Sequence, residues 1–338
     1  MGYRAEKLKV EEKVSNVKRV VLVILVIIIL ALCIFSAFFP PSYWQYNVGC
    51  PEIELRQEGT ARIHFIDVGQ GDCTLIELPN GRTMLIDGGD GTGKTAKAIL
   101  RYLNALDIDA IDYLVVTHAD SDHCGGLDTV LEYKTVRTVF LPPVLSKYAN
   151  EEYVSFFTQV VEQGLPTVFS SRSIVFDGSG AYPFTLTFLH PYSLDVTEGA
   201  IEHGKSEDNN EKSAALWLDY AGTSALFAGD LPTEIEDKLA LEDSLGAFKN
   251  MGVDLTSTEI LKVSHHGSSS SSSLGFLQYL QVKTAVISCS AQNIYNHPSS
   301  EVLSSLATVN AAVHCTDEVG SVMITMHSNG SYTTKFVK

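Results

Sequence analysis

Four residues able to hold a cation, His118, Asp120, Asp122 and His123, fall within six positions of the run Thr117-His118-Ala119-Asp120-Ser121-Asp122-His123-Cys124-Gly125-Gly126. Two imidazoles and two carboxylates this close cannot all keep full solvation. A divalent cation would turn their crowding into coordination. A loop that merely caps the next helix uses one or two such residues, not four. Three more segments present His or Asp just past an apolar run: Asp230 after Ala225-Leu226-Phe227-Ala228, His265-His266-Gly267 after Ile260-Leu261-Lys262-Val263, and His297 within Asn293–Pro298. Four such ends suit a binuclear centre, which needs about three to four protein donors per ion and open positions for water.

The elements that must position these residues read as an α/β domain beginning at Ala61. Ile111–Val116, short and apolar between turn signals, is the expected strand ahead of the His/Asp run, and its C-terminal end is where open α/β folds place sites. Expected strands are Ile63–Ile66, Cys73–Leu78, Thr83–Asp87, Val136–Phe140, Phe184–Leu189, Ala214–Tyr220, Ser224–Ala228, Glu259–Val263, Thr284–Ser288, Ala311–His314 and Val322–Met326. Asn80-Gly81 supplies the positive φ angles of a hairpin turn. Helices are expected at Lys94–Leu106, Glu151–Gln163, Pro232–Ala247, Leu274–Leu280 and Ser300–Leu306, the first with Ala96, Ile99, Leu100, Leu103 and Leu106 on one face. Two β-then-α halves suggest two packed sheets with helices outside. Asp195–Lys212 reads as an exposed acidic loop, and Ser268–Ser273 as a flexible run by composition.

The chain carries a net charge of −16 over 338 residues. Residues 1–19 hold six Lys/Arg against three Glu, leaving −19 on the remainder. That field repels polyanions and argues against a tight, non-specific nucleic-acid binder. Val20–Phe39 has no charged residue and, at ~1.5 Å per residue, spans a ~30 Å hydrocarbon core. The stretch is longer than a signal h-region and lacks a clear cleavage site, so an uncleaved single-pass anchor is expected. All flanking cations precede it, which puts the N-terminus in the cytoplasm and the rest outside the cell. Residues 40–60 read as a linker, with Tyr43, Trp44 and Tyr46 at the outer interface. The six cysteines show no C-x-x-C spacing. Cys289 and Cys315, each ending an expected strand, could pair in an oxidising exterior or simply pack as small apolar side chains.

The His/Asp run resembles the metallo-β-lactamase superfamily signature, with Asp120 where the second His of that pattern would stand. The ordered motifs over residues 61–338 resemble the hydrolase domain of the ComEC/Rec2 family: Asp67–Asp72, Leu85–Gly89, the His/Asp run, Asn209/Asn210 with Ser213, Ala228-Gly229-Asp230, His266, His297, and Thr316-Asp317 with Gly320. The resemblance implies an αββα metallo-β-lactamase sandwich after one transmembrane helix. It implies His118, Asp120 and His266 on one metal, Asp122, His123 and His297 on the other, and Asp230 bridging. The residues alone do not separate His265 from His266; His266 is taken as the ligand and His265 as general acid or oxyanion donor. Asp122 is expected to serve in catalysis as well as binding. Asp67, Asp72, Asp87, Asn210 and Ser213 are expected behind the ligands, orienting them. A carboxylate-rich set leaves Mn²⁺ a competitor to Zn²⁺.

Two such cations suit phosphodiester cleavage, and also lactone or thioester opening. The resemblance favours nucleic acid, in a DNA-uptake setting; a cell-wall phosphoester such as phosphorylcholine is the alternative that the acidic surface favours. A rival class remains, because Gly88–Thr95 satisfies G-x-x-x-x-G-K-T between an expected strand and helix, with Lys94 as its phosphate contact. Asp87 and Asp90 would set carboxylates against those phosphates.

Overall fold

The computed structural model describes residues 2–143, 149–192 and 209–338. Most of the expected acidic loop, residues 195–208, lies outside them. The described chain divides into one unit ending at Gly49 and another from Cys50 to Lys338.

In the first unit a helix runs Gly2–Phe38, and its Lys13–Phe38 portion is long and apolar enough to cross a membrane. A second helix, Pro41–Asn47, occupies part of the expected linker. Pro41 ends one helix and begins the next because its fixed φ and missing N–H are tolerated in a first turn. Phe35, Phe39, Tyr43 and Trp44 gather there, with ring centroids 4.8–6.0 Å apart.

In the second unit, eight strands form one sheet and six the other. The first contains β1 (Thr60–Phe65), β2 (Thr74–Glu77), β3 (Thr83–Ile86), β4 (Ala110–Val115), β5 (Thr135–Leu141), β6 (Thr167–Phe169), β13 (Ser321–His327) and β14 (Tyr332–Val337), in the order β14-β13-β1-β2-β3-β4-β5-β6. The second contains β7 (Phe184–His190), β8 (Ala215–Tyr220), β9 (Thr223–Phe227), β10 (Thr258–Lys262), β11 (Thr284–Ile287) and β12 (Ala312–Cys315), in the order β12-β11-β10-β9-β8-β7. Both sheets are antiparallel in one half and parallel in the other, from β3 to β6 and from β9 to β12.

The hydrophobic pattern explains the layering. Phe65, Ile76, Met84, Phe188, Leu216, Phe227 and Ile324 fill the space between the sheets. Helix Gly93–Ala105 and helix Glu151–Glu162 bury Ile99, Leu103, Phe156 and Val160 on the outer face of the first sheet. Helices Thr233–Ser244, Leu274–Leu280 and Ser300–Thr308 cover the second sheet through Leu239, Phe276, Leu277 and Leu306. The result is the expected helix–sheet–sheet–helix sandwich. The serine run departs from expectation. Ser271 Oγ donates to Leu231 O, Ser272 N to Glu236 Oε2, and Ser273 caps helix Leu274–Leu280, so a run read as flexible is held in place.

Candidate metal centre

The parallel halves of both sheets direct their C-terminal ends to one place. Asp87 follows β3, Thr117 and His118 follow β4, Asp230 follows β9, and His265-His266 follows β10. Backbone pairing locks the first two loops together. Gly88 N donates to His123 O at 2.6 Å, Gly89 N to Asp72 O at 2.8 Å, Gly125 N to Gly89 O at 3.0 Å and Gly126 N to Gly88 O at 3.1 Å. Such close approach needs glycine: a Cβ on Gly71, at φ +125°, would lie 2.3 Å from Asp122 O, and one on Gly125 would lie 2.5 Å from Gly91 N.

This interlock also speaks against the nucleotide-loop reading. A phosphate cradle needs free backbone N–H groups. Here Gly88 and Gly89 donate to carbonyls, Thr92 N to Asp90 Oδ1, and Thr95 Oγ1 to Asp90 and Val68 O. Lys94 is exposed beside them. The Gly88–Thr95 loop is the bed on which the His/Asp loop rests.

Each central imidazole is held by Nδ1. His118 Nδ1 contacts Thr117 Oγ1 at 3.0 Å and Ser213 Oγ at 3.2 Å; His123 Nδ1 meets Asp87 Oδ2 at 2.8 Å; His266 Nδ1 donates to Ser288 O at 2.8 Å. Their Nε2 atoms are buried without a hydrogen-bond partner, as is Asp230 Oδ1. They converge: His123 Nε2 lies 3.3 Å from Asp230 Oδ1, and His266 Nε2 lies 3.2 Å from Asp122 Oδ2 and 3.5 Å from Asp230 Oδ2. Two donor triplets result, His118/His123/Asp230 and Asp122/His123/His266, each with its ligand atoms within 4.8 Å of one another. Orphaned nitrogens and carboxylate oxygens facing a common space are the donor set of a hard-to-borderline divalent cation. The residues fit such an ion.

Electrostatics agree. Burial opposes a charge on His123 and His266, yet Asp230, with Asp87 for the former and Asp72 for the latter, outweighs it; His123 rises above its ordinary value and His266 reaches about 10. Burial, then His123, drives His118 down to about 4. Burial also works against ionised Asp122 and Asp230, but the imidazoles hold both well below the usual carboxylate range. The carboxylates call for positive charge of the kind a bound cation would supply.

Several expected positions need correction. His266 groups with Asp122 and His123, not with His118 and Asp120; Asp120 lies 3.7 Å from His118 Nε2. His297 stands at the rim, its ring 6.3 Å from that of His266 and stacked at 5.6 Å on Tyr295, with Nδ1 buried and without a hydrogen-bond partner. His265 also stays at the rim, 3.7 Å from Asp230 and partly exposed. The contact to Asp120 comes from Asn209, whose Nδ2 donates to Oδ1 at 2.8 Å, one residue before the expected Asn210. Asp67 turns away and caps its own turn through Gly69 N. Asp87 lies against His123 Nδ1 and Ser213 against His118 Nδ1, and Asp72 pairs with Lys262 and approaches His266 Nδ1 at 3.4 Å. Thr117, which also donates to Asp87 at 2.7 Å, and buried Lys262 complete the cluster. Thr117 gave no sequence signal beyond its place beside His118. Of the cations that might have drawn a polyanion in, Lys262 is buried against Asp72 and Arg172 is paired with Glu242 at 2.5 Å.

Fold and site define a class that comparison supports directly. The model of the metallo-beta-lactamase superfamily matches residues 66–291, and the chain belongs to that superfamily of metal-dependent hydrolases. Among curated relatives it is 30% identical to ComE operon protein 3 of Bacillus subtilis, over 79% of this chain and 33% of that protein. It is 29% identical to Competence protein ComA of Neisseria gonorrhoeae, over 82% of this chain and 34% of that protein. It is 24% identical to Endoribonuclease ysh-1 of Neurospora crassa, over 58% of this chain and 23% of that protein. The chain spans about a third of the length of the first two relatives.

Proposed function

We propose that this chain is a membrane-anchored, extracellular hydrolase with two divalent ions, Zn²⁺ or Mn²⁺, that cleaves phosphodiester bonds in nucleic acid. The observation that carries the reading is the convergence of three buried, partnerless Nε2 atoms on Asp122 and Asp230. His118, His123, His266, Asp120, Asp122 and Asp230 hold the ions, with His297 closing the rim. The ions would supply an activated water and a clamp for the phosphoryl oxygens. Asp87, Thr117, Ser213 and Ser288 fix the imidazole orientations. Asp122 accepts the proton of the attacking water, and His265, at the rim beside Asp230, donates one to the leaving oxygen. The named competence relatives favour DNA as the polymer, and the ribonuclease relative favours phosphodiester chemistry. The six Lys/Arg residues ahead of Val20–Phe39 favour a cytoplasmic N-terminus.

A second reading rests on charge. With −19 outside residues 1–19 and Lys262 and Arg172 already paired, a zwitterionic cell-wall phosphoester meets less repulsion than DNA does. The deciding experiment presents detergent-purified full-length chain, loaded with Zn²⁺ or Mn²⁺, with single-stranded DNA, RNA, bis-p-nitrophenyl phosphate, a choline phosphoester, a lactone and a thioester. Metal-dependent DNA cleavage that falls by ~10²–10³-fold in Asp230→Asn, the equivalent of several kcal/mol of lost charge stabilisation, is expected. Turnover of the choline ester, lactone or thioester with no action on the diesters would overturn the nuclease reading.

A further inference from the structure

Outside the His/Asp cluster, one other group of donors is gathered among the described residues. Cys289, just past β11, and Cys315, the last residue of β12, bring their sulfurs together with the carboxylate of Asp317, all three ligand atoms within 4.8 Å of one another. Both thiols are free and buried, while Asp317 is exposed. Thr316 ties the two ends: its Oγ1 accepts from Cys289 N at 3.1 Å and donates to Cys289 O at 3.3 Å. We propose that Cys289, Cys315 and Asp317 form a second metal site, for a soft divalent cation such as Zn²⁺, separate from the His/Asp centre.

The geometry suits that ion. With Zn–S near 2.3 Å and Zn–O near 2.0–2.2 Å, a tetrahedral S···O edge is ~3.5 Å. Cys289 Sγ lies 3.7 Å from Asp317 Oδ1. The fourth corner falls to water, because Asp317 faces solvent. Packing explains two buried thiols, since free cysteine behaves as a small hydrophobe; the hydrogen bond that the Cys289 thiol donates to Asp317 Oδ1 brings a third donor to them from the solvent side. Thiolates select Zn²⁺ over the hard ions that carboxylates accept, so the two sites would sort metals by softness. On binding, each thiol releases its proton to solvent, and two thiolates with one carboxylate surround the ion. The site lies one residue beyond Ser288, whose carbonyl holds His266, so a bound ion would stiffen the strand end that aims a catalytic imidazole.

The test is Co²⁺ titration of reduced, metal-stripped full-length protein, followed by absorption. A thiolate-to-Co²⁺ charge-transfer band is expected, kept in Asp230→Asn and lost in Cys289→Ser and in Cys315→Ser. Asp317→Asn should weaken the affinity behind the band by about tenfold or more. No band in the unsubstituted protein, or a band that survives Cys289→Ser, overturns the site. Should the serine variants fail to fold, Cd²⁺ protection of the unsubstituted protein gives the answer. Because both thiols are buried, alkylation is followed in mild urea, where peptides carrying Cys289 and Cys315 should react more slowly with Cd²⁺ than without it. Equal alkylation, or a Cys289–Cys315 disulfide in protein purified without air, overturns it as well.

Discussion

His64, on β1, and His123, in the short helical turn after β4, are both completely buried, yet they do different work. His64 has both ring nitrogens engaged by protein, Nδ1 with Tyr102 Oη at 3.1 Å and Nε2 with Glu77 Oε1 at 2.8 Å. Burial keeps this imidazole below its ordinary basicity, and Arg62, 2.5 Å from Glu77, supplies the counter-charge. That leaves the His64 ring no nitrogen for a ligand. His123 has Nδ1 fixed by Asp87 and Nε2 left facing Asp230, and His118 and His266 repeat the pattern. Partner accounting for each nitrogen therefore separates an imidazole that builds the core from one that awaits a ligand.

The contrast fails if the closed network also governs metal. Glu77→Gln leaves buried Arg62 without its counter-ion and should cost about 3–5 kcal/mol in urea unfolding. Metal content of the folded fraction should stay unchanged. A parallel fall in bound metal would show that the two networks are one.

A third buried charge sharpens the comparison, because it has donors but no cation. Glu236 accepts from Ser264 Oγ and Ser272 N, and burial raises its carboxyl from 4.5 to about 7. The native state then holds this proton more tightly than the unfolded chain does. The burden is absent below pH 4.5, grows as pH rises, and is complete above about pH 7, where it amounts to roughly 3 kcal/mol at 1.36 kcal/mol per pH unit. Glu236→Gln should flatten that part of the pH profile and surpass the parent above pH 7. Parallel profiles would show that Glu236 ionises freely in the folded protein.

The smallest effect falls on the open network. Asp87→Asn keeps the shape but weakens the orientation of His123, and metal affinity measured against a competing chelator should fall by about 10–100-fold. Unchanged affinity would mean that Asp87 only buttresses Thr117.

Much of this centre is visible in the chain itself, because four of its donors are neighbours and others follow apolar strands at once. Periodicity also gives most of the sandwich. What the sequence withholds is partition. His266 meets Asp122 rather than Asp120 only because β10 lies across from the His/Asp loop, which no spacing encodes. The choice between Asn209 and Asn210 turns on one residue of backbone direction. Lys262 looks like a surface cation until its strand is buried on both faces. The edge strands β6 and β14 escape because neither contains a buried residue: β6 is exposed along its length and β14 mixes exposed and half-buried positions.

The contacts that cross between the sheets have a mechanical consequence. Ser213, just ahead of β8, reaches His118; Ala214 N donates to Thr117 O at 2.9 Å; Lys262 of β10 pairs with Asp72 beside β2. The centre is thus a rivet through both plates of the sandwich. A slip of one plate by the length of a hydrogen bond would misalign at least one imidazole while every strand remained intact. Loss of bound ion should therefore precede loss of strand signal under gentle denaturant, making ion release an early gauge of shear between the plates.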